Sequence, residues 1–124
     1  KCDNHIKRRH IINEDELYNE LNKLGFIYVR LEMLPIEQKI YLFNTSGIIV
    51  SAQIGSLIFS LVANEKTKII ELGPKNPHQM QDQYKEICEY LNIYWKRILC
   101  DNVDSNDNMY VNVLEVINFL NTII

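Results

Sequence analysis

The residues able to do chemistry in this chain of 124 residues fall in a few short stretches. Lys7-Arg8-Arg9 is a run of three cations, and guanidinium is always charged and grips phosphate oxygens bidentately. Gln53-Ile54-Gly55-Ser56 follows the apolar run Ile48-Ile49-Val50 and opens a second apolar run at Leu57. A turn of that kind, with Gly55 and Ser56 at a helix start, lets a pyrophosphate approach free backbone N–H groups. Glu71 closes the apolar run Lys68-Ile69-Ile70, where a carboxylate is costly unless it meets a partner or solvent. Gln38 can donate and accept hydrogen bonds. Each has a plainer reading beside it: an exposed basic segment, a structural turn, an exposed helix position.

Metal chemistry is not expected. Cys2, His5 and His10 lie close together, yet no second pair completes a zinc site. Asp101, Asp104 and Asp107 fall in a polar stretch lacking the Gly and Glu of a calcium loop, and no Asp-x-Asp motif ends a strand. His78 reads as an exposed loop residue. Three cysteines without a C-x-x-C motif read as reduced thiols, with Cys88 in an apolar helical stripe. Asn44-Thr45-Ser46 has the form of a glycosylation acceptor, which matters only in a secretory compartment.

The elements that must position these residues follow from spacing. Asn13 with Glu16 has the form of a capping box, and Leu17, Leu21 and Leu24 continue at helical spacing to Gly25, predicting a helix over 14–24. Phe26 to Leu31 is rich in aromatic and branched residues and predicts a strand. Pro35 opens a second helix with Ile36, Ile40 and Phe43 inward. Ile48-Ile49-Val50 predicts a strand buried on both faces, and Leu57 to Ala63 a short, largely buried helix. A strand over 68–72, a loop at Gly73 to Pro77, a helix marked by Tyr84, Ile87, Cys88 and Leu91, and a strand over 94–99 follow. Asp101 to Asn108 reads as a loop before a last helix with Val113, Val116, Ile117, Leu120 and Ile124 inward. Such alternation predicts an α/β domain over 1–124 with a doubly wound, mostly parallel, Rossmann-like sheet and helices on both faces.

Composition excludes other classes. Hydrophobic residues make 47% and charged residues 23%, which is an ordinary globular balance. A net charge of -3 and a pI near 5.6 give no footprint for nucleic acid. No apolar run reaches the roughly 20 residues a membrane span needs. The start at Lys1-Cys2, without Met or a signal-like run, reads as a piece of a longer protein.

Taken in order, Arg8-Arg9 with Asn13-Glu14 and Glu16, the Gly25-Phe26 turn, Glu37-Gln38 with Leu42-Phe43, the strand leading to Gly55-Ser56-Leu57, and Ile70-Glu71-Leu72 resemble the C-terminal half of the catalytic region of glycosyltransferase family 61, from about Lys7 to Tyr94. The family pattern has His-Gly-Ala-Gly-Leu where this chain has Gln53-Ile54-Gly55-Ser56-Leu57. Glutamine cannot titrate near neutral pH, so any proton transfer by that histidine is lost here.

The resemblance implies a metal-independent glycosyltransferase that needs no cofactor and takes a nucleoside diphosphate sugar as donor. It implies donor binding by Arg8, Arg9, Gln38, Gln53, Gly55, Ser56 and Glu71, with Glu71 on the ribose. The acceptor is a glycan or protein. An upstream half of the same protein would supply the acceptor site and the base, in the cytoplasm or alternatively the secretory lumen. Two rivals stand beside this expectation: a degenerate, non-catalytic domain of the same fold, and an interaction module presenting Tyr84, Tyr90 and Trp95 to a protein.

Overall fold

Apolar runs alternating with amphipathic segments become strands and helices in residues 9–77 and 82–124, which the computed structural model describes. The strands β1 (Ile48–Ala52), β2 (Lys68–Pro74), β3 (Tyr94–Asn102) and β4 (Met109–Tyr110) form one mostly parallel, curled sheet of order β1-β2-β3-β4. β1 pairs with β2 in parallel, from Ile48 opposite Lys68 to Ala52 opposite Leu72, and β4 pairs antiparallel with β3. This order runs one way, without the reversal that marks a doubly wound sheet.

The chain divides into two compact units, and β2 and β3 each pass from one into the other. The first comprises Arg30–Leu72 and Gln79–Ile98. Its core is Phe43, Leu57, Ile69, Tyr84, Cys88 and Ile93, with α2 (Ile36–Thr45) and α3 (Gln83–Tyr90) packed on the 3-10 helix Gly55–Val62. The second comprises Lys1–Val29, Gly73–His78 and Leu99–Ile124. There α1 (Glu14–Lys23) packs on α4 (Val113–Ile123), and Leu17, Met109, Val111, Val116 and Leu120 are buried.

Several expectations are corrected. Phe26 to Arg30 is not a strand; Ile27 is 85% exposed, because branched residues favour a strand only where a pleated neighbour exists to pack against. Asn13 makes no capping bond to α1. Its amide instead copies a backbone pair, donating to the Val111 carbonyl at 2.8 Å and accepting the Val111 N–H at 2.9 Å. Gly25 does end α1, at a φ of 94° that favours glycine, with Phe26 N–H on Leu21 O and Gly25 N–H on Asn22 O.

In α2 only Phe43 is buried, while Ile36 and Ile40 are exposed. β1 is half-buried throughout because it stands at the end of the strand order, and β2 continues through Gly73 and Pro74 where a loop was expected. The run after Gly55 is a 3-10 helix. Three residues per turn give it one inner stripe, so Leu57 and Ser60 are buried while Ile58 and Leu61 are exposed. Asp101 to Tyr110 holds the end of β3, a tight turn and β4, not only a loop. Tyr84 lies in the core, so it cannot present a surface with Tyr90 and Trp95. Ile124 is exposed.

Candidate functional site

In the first unit the geometry begins with parallel register. Ser51 lies opposite Glu71, so Gln53, two residues on, projects from the same face. The Gln53 N–H extends the ladder to the Leu72 carbonyl at 3.1 Å, and its side-chain Nε2 donates to Glu71 Oε2 at 2.5 Å. Trp95 and Arg97 share one face of β3 by the same two-residue period, and both reach this carboxylate. Trp95 Nε1 donates to Glu71 Oε1 at 2.8 Å, and an Arg97 terminal nitrogen stands 3.5 Å from Oε2.

The Glu71 side chain is 0% exposed, and that of Arg97 15%. Burying a carboxylate is tolerable only with such a set of donors and a counter-charge. Arg97 also bonds Asp82, the residue before α3, at 2.9 Å, and lies over the Trp95 ring at 5.0 Å, with Lys85 Nζ 5.8 Å from the same ring.

Gln53 and Glu71, candidates from two separate motifs, are thus brought together. The sequence reading missed Arg97 and Asp82 and gave Trp95 another role. The signal present was the Trp-x-Arg spacing inside a predicted strand, which places both side chains on the face where Glu71 needs donors.

Ahead of Gln53 the turn faces outward. Ile54 is exposed, and a Cβ on Gly55 would meet nothing within 4 Å. The Gly55 φ is not positive, so the backbone itself does not demand glycine there. Of Ser56 only the backbone, within the 3-10 helix, is described. Gln38 is exposed on α2, its N–H bonded to the Pro35 carbonyl, and makes no bond to Gln53 or Glu71.

In the second unit the described part of the basic segment begins at Arg9; Lys7 and Arg8, with Cys2, His5 and His78, lie outside the described residues. Arg9 has a φ of 53°, its N–H bonds the Asn106 carbonyl at 3.2 Å, and a terminal guanidinium nitrogen is 3.8 Å from Asp107 Oδ2. Its Nε is buried without a hydrogen-bond partner among the described residues. Among these residues no group of three or more His, Cys, Asp or Glu could hold a metal ion.

Cys88 and Cys100 are buried thiols, and burial pushes that of Cys100 from 9.0 up to about 11. The unfolded chain then loses this proton at a lower pH than the folded one, so stability conferred by the neutral buried thiol is complete below about pH 9 and declines as pH rises towards 11. Denaturation of wild type and Cys100→Ala at pH 8 and 10.5 should show a loss of roughly 1–2 kcal/mol in wild type that the variant lacks. Equal losses would mean that other groups carry the alkaline slope.

The family model described as Glycosyltransferase 61 matches residues 4–70, more than half of the chain. The match includes Arg8, Arg9, Gln38, Gln53, Gly55 and Ser56, while Glu71, Trp95 and Arg97 lie beyond it. No curated protein matches the chain.

Proposed function

This chain belongs to glycosyltransferase family 61, and from that membership we propose that it binds the nucleoside diphosphate sugar from which a glycosyl group is transferred. On this reading the four strands are part of a doubly wound, Rossmann-like donor half. The observation that supports it most is the construction of the turn after β1. Gln53 points inward onto Glu71 and Gly55 stands in open space, so the turn offers main chain outward. Backbone N–H groups in such a place suit phosphate oxygens.

Arg9 supplies charge for the departing diphosphate, which gains negative charge as the glycosyl bond breaks. Arg8 is the second cation of the same segment and Gln38 a contact to the base. Enclosed as it is, Glu71 supports the turn from behind and reaches a ribose only if Trp95 or Arg97 releases it. Gln53 holds no proton to transfer near neutral pH, so the base for the acceptor hydroxyl comes from elsewhere in the protein. No metal is needed where arginine balances the leaving charge. Among the described residues no helix is long and apolar enough to cross a membrane.

UDP should protect the amides of residues 53–58 from hydrogen exchange in the protein as expressed from its full gene. Arg9→Ala should weaken UDP binding by about 1–3 kcal/mol. No binding of UDP or any other nucleoside diphosphate would discard the proposal. One observation favours a second reading, a domain that keeps the fold and has lost transfer: the side chain at 53 cannot titrate and is tied to Glu71. Restoring His at 53 and Gly at 54 and assaying transfer separates the two, since a gain in turnover supports a weakened enzyme and none in either form a retired one.

A further inference from the structure

We propose that Asp107 is a positioning residue that aims the Arg9 guanidinium at a phosphate, a role in a loop beyond the family-matched residues. This rests on the reading of Arg9 as a ligand of the donor diphosphate. The loop between β3 and β4 is stapled internally. Val103 N–H bonds the Asn108 carbonyl at 2.9 Å, and Asp104 Oδ1 accepts the N–H of Asn106 at 2.9 Å and of Asn108 at 3.3 Å. Asp104 Oδ2 takes the Asn108 side-chain amide at 2.8 Å.

The same loop and β4 grip the basic segment through its main chain. Arg9 N–H reaches Asn106 O, and His10 N–H reaches Asn108 Oδ1 at 2.9 Å. Met109 N–H bonds His10 O at 2.8 Å, and Ile12 N–H bonds Met109 O at 2.9 Å. Arg9 and Asp107 both have left-handed φ, 53° and 60°. Aspartate visits that region readily and arginine does not, so Arg9 is held there by the contacts around it.

The Asp107 side chain is buried; Asn102 Nδ2 donates to its Oδ1 at 3.3 Å, and its Oδ2 faces the Arg9 guanidinium. The 3.8 Å separation exceeds the roughly 2.8 Å of a charge-assisted hydrogen bond. At that range the carboxylate orients the cation without consuming its donors. Nε has no acceptor among the described residues, and the Arg9 side chain keeps 16% exposure. Such an arrangement fits a guanidinium pre-set for a second, incoming anion of the phosphate class.

Asp107→Asn removes the charge, tolerates the left-handed backbone and keeps an acceptor for Asn102, so the fold should persist. Two measurements test the proposal on the protein from its full gene. The first is the Arg9 Nε–H resonance, assigned by its loss in Arg9→Gln. It should be dispersed and slow to exchange in wild type and move to the position and rate of a free arginine in Asp107→Asn; an unchanged resonance overturns the proposal. The second is titration with inorganic pyrophosphate, whose dissociation constant should rise roughly fivefold in Asp107→Asn but not between Arg9→Gln and the double variant. Equal factors in both backgrounds overturn it. Wild-type affinity in Arg9→Gln removes instead the reading of Arg9 as a donor ligand, and the resonance then decides on Asp107 alone.

Discussion

Arg97→Met should lower the free energy of unfolding by about 3–5 kcal/mol, the cost of leaving a buried carboxylate without its counter-charge. Glu71 is fully buried and Arg97 half-buried, which separates this pair from surface pairs worth under about 1 kcal/mol. Methionine keeps much of the apolar stem and its place against Trp95, so the loss reports mainly the charge. Urea denaturation measures it. Glu71→Gln combined with Arg97→Met should recover part of the loss, because the neutral amide still accepts from Trp95 and no stranded anion remains. A change below about 0.5 kcal/mol in the single variant would mean that Glu71 is not held as a buried ion. The fluorescence of Trp95, the sole tryptophan in the chain, should shift in both variants because its Nε1 partner is disturbed.

Leu57→Ala is expected to cost about 2–5 kcal/mol, through lost burial and the cavity left behind. Leu57 is completely buried among Phe43, Ile69, Tyr84, Cys88 and Ile93, and it is the first inward residue of the 3-10 helix. Its N–H closes the turn onto the Ile54 carbonyl at 3.0 Å, so the side chain that anchors the helix also fixes the turn. Hydrogen exchange at residues 53–58 should therefore accelerate more than global unfolding accounts for, and UDP protection there should fall. Ile58→Ala, one residue on and exposed, serves as the control and should change stability by under about 0.5 kcal/mol. Equal effects from the two variants would contradict the single inner stripe of the 3-10 helix.

Local signals determined much of the chain. The apolar runs at 48–52 and 68–72 are strands, the leucine spacing before Gly25 is a helix, and Tyr84 with Cys88 marks the inner face of another. Each depends on backbone periodicity and near-neighbour chemistry, which a linear sequence records. The order of motifs also carried the family resemblance, because spacing along a chain survives substitution at single positions such as Gln53.

Tertiary structure decided where a residue's environment comes from distant chain. Phe26 to Arg30 has strand composition and no strand, because β preference is realised only against a neighbour. Asn13 has the form of a cap and instead pairs with Val111, 98 residues away. Glu71 was legible as a costly carboxylate, whereas its donors come from two separate segments that sequence spacing does not join to it: Gln53 after β1, and Trp95 and Arg97 on β3. Arg9 was legible as a cation, but its left-handed backbone and its tie to Asp107 depend on the loop between β3 and β4. Long-range pairing selects among the partners a polar side chain could take, and that selection is made by packing, which composition and period do not encode.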